Sequence, residues 1–182
     1  LAEAGVGRRQ RRMWIRARDC PWDPDLPMFT DGSVAYPRWI RLASGTGAAI
    51  QIPSIHAAPE NRVVRMIIIQ ILEGWPQTAV MSEHLAACGA EFGCRTGNFK
   101  NMEVASDCQA VVTGFASMSI NLHKSMHGGV WDQIRAGDGI GYIRKVKAHR
   151  TWGDVNKDNP QDVCDFNGND LADVSAKKAV RE

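Results

Sequence analysis

The sequence predicts a mixed α/β fold, a five-stranded mixed sheet with helices on both faces. Apolar, β-branched stretches follow one another through the first half, separated by proline-bearing loops, which reads as successive antiparallel strands. Beyond residue 77 the apolar spacing turns helical and alternates with short strands, the pattern of strand-helix-strand crossovers. At 182 residues and 44% hydrophobic, the chain can bury the core of one such domain.

Taken in order, residues 1–27 read as an arm. Arg8, Arg9, Arg11, Arg12, Arg16 and Arg18 face only Glu3, and the three prolines of "CPWDPDLP" disfavour helix and sheet alike. The arm is either a phosphate contact or a solvated linker. The domain then spans 28–182. Its first strand is expected to end at Asp31, with Gly32 letting the backbone turn away, and "VAYPRWIRLASG" to form an extended loop. "TGAAIQI" (46–52) and "RVVRMIIIQIL" (62–72) are the next two strands, with "HAAPENR" a plain loop before the third, in which His56 is a surface residue.

Met81, Leu85 and Cys88 form the stripe of a first helix, which Gly89 and Gly93 are expected to bring to its end. "NMEVASD" is a fourth strand ending at Asp107, followed by the helical "CQAVVTGFASM" and the short helix "GGVWDQIRAG". "GIGYIRKVKAH" is a fifth strand running to His149. Residues 150–168 read as a long polar loop, and the last helix as opening at Asn169, its N-cap.

Bulk properties exclude little more. A net charge of +2 does not diagnose a nucleic-acid partner. Five cysteines without a C-x-x-C pair indicate neither a disulfide framework nor a zinc site, so a reducing, intracellular setting is expected, cytoplasm and nucleus not being distinguished. The longest apolar run is far short of a membrane span. The chain opens on Leu1 and not on methionine, and a piece of a longer polypeptide is expected.

Carboxylates recur at structural landmarks. Asp31 ends the first strand and Asp107 the fourth, so they would project from adjacent strand ends in a sheet where those two strands are neighbours; Glu83 falls in the first turn of the first helix, and Asp173 lies in the opening turns of the last. Each has an ordinary reading alone: Asp173 as the i,i+4 partner of Lys177, Glu83 as a dipole-favoured residue, Asp107 as an N-cap, His149 as an inert loop histidine. Together they make an acidic cluster that calls for cations.

"FTDGS", "QTAVMSEHLAA", "VASDCQAVV", "KVKAH" and "GNDLADVSAKKA" resemble, in this order, the five motifs of type 1 ribonuclease H, including the domains attached to reverse transcriptases. In "GNDLAD" the family's catalytic aspartate matches Asp173, and Asp170 stands where glutamate is usual. The resemblance covers about residues 28–180 and implies a ribonuclease H-like fold. It implies a two-metal endonuclease that hydrolyses the RNA strand of RNA/DNA hybrids with Mg²⁺, or Mn²⁺, as cofactor. Asp31, Glu83, Asp107 and Asp173 would hold the two ions, Glu83 meeting a substrate 2′-hydroxyl, while His149 would move protons or release product. As partners it implies the hybrid and a reverse transcriptase domain in the same polypeptide of a retrotransposon-like element, with no membrane, the domain itself being monomeric.

The departures from the family are local. The loop after Asp31 lacks a glycine-rich turn and carries Trp39. "SINLHKSMHGG" offers Lys124 where some members carry a basic, tryptophan-rich handle, so weak binding by the isolated domain is expected. The long loop from Arg150 to Gly168, with "TWGDVNKDNPQD" inserted, brings Asp154, Asp158, Asp162 and Asp165 close to His149, charge expected to repel phosphate. The alternative function is a catalytically inactive ribonuclease H-like module that binds nucleic acid or connects domains. Transposases, integrases and junction resolvases share clustered carboxylates but lack the "VKAH" then "GNDLAD" ending.

Overall fold

The computed structural model describes residues 15–17, 22–35, 44–52, 65–71, 75–117 and 127–181. In chain order its elements are β1 (Ile15–Ala17), β2 (Met28–Ala35), β3 (Ser44–Gln51), β4 (Arg65–Gln70), α1 (Ala79–Gly97), β5 (Met102–Ser106), α2 (Gln109–Ser117), α3 (Gly128–Arg135), β6 (Ile140–Lys145) and α4 (Pro160–Arg181), with a short 3₁₀ turn at Trp152–Asp154. The arm's arginines other than Arg16, the loop holding Trp39, His56 and Lys124 lie outside the described residues.

The five expected strands are β2 to β6, lying in the order β4-β3-β2-β5-β6. β2, β3 and β4 pair antiparallel, while β2 with β5 and β5 with β6 pair parallel. The sheet is therefore mixed. A sixth strand comes from the arm, where Ile15–Ala17 pairs antiparallel with Ile67–Ile69 and covers what would be an open edge at β4. The prolines that disfavour sheet lie after this strand. The arm's end is pinned by buried Gln51, whose amide nitrogen donates to the carbonyls of Asp23 (2.7 Å) and Leu26 (2.8 Å) while its oxygen accepts from Asp23 N–H (2.8 Å).

Alternation along the strands sends neighbouring side chains into two cores. Met28, Ala49 and Val104 pack on one face with Met81, Leu85 and Trp131 of α1 and α3; Phe29, Ile50 and Ala105 pack on the other with Ala172 of α4. Helices thus cover both faces. Between α1 and α3, buried His84 stacks on His127 with ring centroids 4.2 Å apart and meets Trp131 edge-on.

Several expected boundaries move. The first strand does not end at Asp31: β2 continues to Ala35, and Gly32 pairs in register with Gly47 of β3. These glycines serve close packing and not a turn, since a Cβ on Gly32 would lie 2.4 Å from Glu83 N, and one on Gly47 would lie 2.5 Å from Ala86 N. α1 does not decline at Gly89 or Gly93; it runs to Gly97, capped by Thr78, whose Oγ1 accepts from Met81 N–H (3.1 Å), and closed by Asn98 in the left-handed region (φ 56°). With Ala79 as the first helical residue, Glu83 sits in the second turn, past the first-turn position expected of it.

β6 ends at Lys145, four residues before His149, and the chain reverses with His149 at φ 50°. The polar stretch 150–168 is only in part a loop. α4 opens at Pro160, whose missing N–H costs nothing at a first helical position, and Asn159 Oδ1 accepts from Gln161 N–H (3.0 Å) as its cap. Asn169 is therefore no N-cap, and Asp173 lies well inside the helix. Gly168 keeps α4 against the sheet, because a Cβ there would meet the Phe29 ring at 2.3 Å.

Candidate metal centre

The register of the parallel pair sets the site. Thr30 is level with Ser106, so Asp31 and Asp107 follow at adjacent positions of β2 and of the turn leaving β5. Close packing of α1 over Gly32 and Gly47 brings in the third carboxylate. One oxygen each from Asp31, Glu83 and Asp107 lies within 4.8 Å of the others. Asp31 Oδ1 accepts from Gly32 N–H at 2.6 Å, and Asp107 Oδ2 accepts from Asn169 Nδ2 at 3.1 Å. The sequence reading missed Asn169 here, having taken it for a cap; its place in "GND", four residues before Asp173 and so on a neighbouring helix position, was the available signal.

Burial makes two of the converging carboxylates, Asp31 and Glu83, costly to ionise. Asp31 is pushed up to about 7, first by burial and then by the charges of Asp107 and Asp173. Glu83 is pushed up to about 10, again by burial first and then by the charge of Asp31. Glu83 Oε2 is also buried without a hydrogen-bond partner. A donor set made of oxygens only, with an orphaned carboxylate oxygen and protons held above their usual pH, fits a hard divalent cation such as Mg²⁺ or Mn²⁺.

The remaining predicted residues line the same cleft, about 450 Å³, without joining the triad. Asp173 is within Coulomb range of Asp31, yet its Oδ2 accepts from Lys177 Nζ at 2.6 Å, the i,i+4 pair that its spacing allowed. His149 stands on the cleft wall beside Lys147 and Arg150, and Asp170 lines it from α4. Phe166 was not singled out by sequence, and nothing in its immediate neighbourhood marks it, whereas Lys147 lies within the "KVKAH" motif that ends at His149.

The raised pKa values fix a pH dependence. In the folded chain Asp31 and Glu83 retain protons that the unfolded chain has lost, so the stability they lend is complete below about pH 4 and declines as pH rises through about 7 for Asp31 and on toward 10 for Glu83. In EDTA, Tm should fall by roughly 5 °C between about pH 5 and about pH 8 because of this site. Asp31→Asn should flatten that slope, and saturating Mg²⁺ should offset it by binding the folded state alone. An unchanged slope in Asp31→Asn would show that the proton is not held there.

No protein-family model and no curated protein matches this sequence. Solved structures do. The fold is similar to that of LC9-RNase H1, described as a type 1 RNase H with the type 2 active-site motif, at a TM-score of 0.58 and 14% identity over 90% of this chain and 74% of that one. RNase H1 from the halophilic archaeon Halobacterium salinarum NRC-1 aligns at a TM-score of 0.45 and 13% identity, over 68% of this chain and 86% of that one. The N-terminal RNase H domain of Rv2228c from Mycobacterium tuberculosis aligns at 0.44 and 12%, over 84% and 99%. The chain has a ribonuclease H-like fold.

Proposed function

We propose that this chain is a metal-dependent endonuclease that hydrolyses the RNA strand of RNA/DNA hybrids. The observation that carries the reading is the oxygen-only triad of Asp31, Glu83 and Asp107, formed where two parallel strands and a helix of a ribonuclease H-like sheet meet. Asp31, Glu83 and Asp107 would hold one divalent cation, and Asp173, released from Lys177, would help to hold a second. Bound ions of this kind stabilise the attacking and leaving oxygens of an in-line displacement at phosphorus.

The chain's own groups do the rest. Loss of protons from Asp31 and Glu83 readies the site for cation binding. Lys177, freed from Asp173, and Lys147 on the cleft wall offer ammonium groups to backbone phosphates. His149 stands where it can carry a proton to or from the cleft. Glu83 is the group nearest in role to a 2′-hydroxyl reader, the contact by which RNA is told from DNA.

The motif order shared with reverse-transcriptase-associated domains supports placing the chain in the polypeptide of a reverse-transcribing element, as residues 28–182 behind an arm of 1–27. A connector without activity is the weaker reading, since four carboxylates would then be buried or clustered for no chemical return.

The test presents one labelled RNA single-stranded, paired with RNA and paired with DNA, in Mg²⁺ or Mn²⁺. Cleavage of the DNA-paired RNA alone, stopped by EDTA, is the expected result. A folded chain that cuts none of the three would overturn it.

A further inference from the structure

The insert between His149 and α4 was expected to burden the site with negative charge. Three of the four carboxylates expected to do so, Asp154, Asp162 and Asp165, are instead paired within the chain. Asp162 takes Arg150 in a two-pronged ion pair, Nη1 to Oδ1 at 2.6 Å and Nη2 to Oδ2 at 2.7 Å, and also accepts from Asn156 N–H at 2.7 Å. Asp165 takes Arg144 in the same manner, at 2.7 and 2.5 Å. Asp154 Oδ2 accepts from Thr151 N–H (2.8 Å) and Thr151 Oγ1 (2.7 Å), closing a capping box around the 3₁₀ turn, and its carbonyl accepts from Arg150 Nη2 (2.7 Å). Arg150 is only 9% exposed, so this pair is a fixed joint between the loop and the first turns of α4.

What that joint holds in place is Trp152. Its side chain is half in solvent (48% exposed) although it packs on Phe166, ring centroids 5.5 Å apart, and Lys157 Nζ stands 5.6 Å from its ring. Phe166 and Arg150 line the cleft that holds the carboxylate triad, so the tryptophan extends the wall of that cleft outward. A large aromatic left exposed on an anchored loop beside the cleft, with Lys157 against its ring and Lys147 on the cleft wall, has the makings of a stacking platform for nucleic acid.

We infer that Trp152 is a substrate-binding residue: its ring stacks on a base or sugar of the RNA/DNA hybrid at the rim of the cleft, with Lys157 and Lys147 meeting the neighbouring phosphates. This rests on the hybrid being the substrate. It gives the chain a grip on the His149 side of the cleft, built from the insert. Arg150 and Asp162 are positioning residues for it, since their charged groups are spent on one another and fix the loop that presents the ring.

The test measures affinity and not turnover. A fluorescein-labelled RNA/DNA hybrid is titrated by anisotropy with the full chain carrying Asp107→Asn, so that the hybrid survives. Adding Trp152→Ala should raise Kd by about tenfold, and adding Trp152→Phe should restore most of the loss. Asp162→Asn, which removes the charge that pairs with Arg150, should weaken binding in parallel with faster protease nicking between residues 150 and 160.

Equal affinity of the Trp152→Ala and unsubstituted rings for the hybrid would overturn the inference and leave the platform to a protein partner. So would an Asp162→Asn chain with unchanged affinity despite a loosened loop. A starting chain that binds no hybrid at all would instead sink the substrate reading on which the inference stands.

Discussion

Asp107→Asn is expected to remove cleavage while leaving a folded and, without divalent cation, a more stable chain. The asparagine keeps an oxygen to accept from Asn169 Nδ2, so the contact between the turn after β5 and α4 survives. What it removes is one negative charge within 4.8 Å of the buried Asp31 and half-buried Glu83 carboxylates. That charge is among the causes that raise both Asp31 and Glu83, and its loss relieves repulsion that a retained proton or a cation otherwise relieves. On the proposed function, activity on an RNA/DNA hybrid should drop by roughly a thousandfold or more, because Asp107 would be a ligand to the ions that stabilise transition-state charge. Thermal melting in EDTA should shift upward by a few degrees, and the further gain that Mg²⁺ gives the unsubstituted chain should vanish. Opposite signs on stability and activity separate this from damage to the fold. A variant that still cuts at a comparable rate would place the chemistry elsewhere.

Much of this was legible because apolar period and side-chain chemistry agreed. The order of strands and helices and the antiparallel start follow from stretches whose apolar spacing is unambiguous, whereas the parallel adjacency of β2 and β5, which spacing does not give, is what pairs Asp31 with Asp107. Boundaries failed where polar residues carry structure. The opening turns of α4 show no apolar stripe because ion pairs hold them, Arg144 with Asp165 and Arg150 with Asp162, so a helix beginning at Pro160 read as loop. Ile15–Ala17 is too short to show a period, and its place comes from the open edge of β4. Asn169 looked like a cap because asparagine before an amphipathic stretch usually is one; its bond to Asp107 depends on a residue 62 positions away, beyond any local pattern.

Gly32 shows most directly how packing makes the site, and Gly32→Ala is the second substitution with a large expected effect. A turn glycine would tolerate asparagine or aspartate, but Gly32 is extended and paired with Gly47, and the space above it is filled by α1. The added Cβ would stand 2.4 Å from Glu83 N and 2.5 Å from the Ser82 carbonyl carbon, both backbone atoms that cannot swing aside as a side chain can. The helix must lift. Overpacking against backbone should cost roughly 3 kcal/mol or more, which for a chain of this size lowers Tm by about 10 °C. Gly129→Ala is the control, since its Cβ meets nothing within 4 Å on α3, and it should be neutral or slightly stabilising. The atom struck belongs to Glu83, so the lift also carries that carboxylate away from Asp31 and Asp107, and the Mg²⁺-induced rise in Tm should shrink even at temperatures where the variant is fully folded. If instead the variant melts lower but keeps its full response to Mg²⁺, Glu83 is not held by this contact, and the triad must be assembled from the sheet side alone.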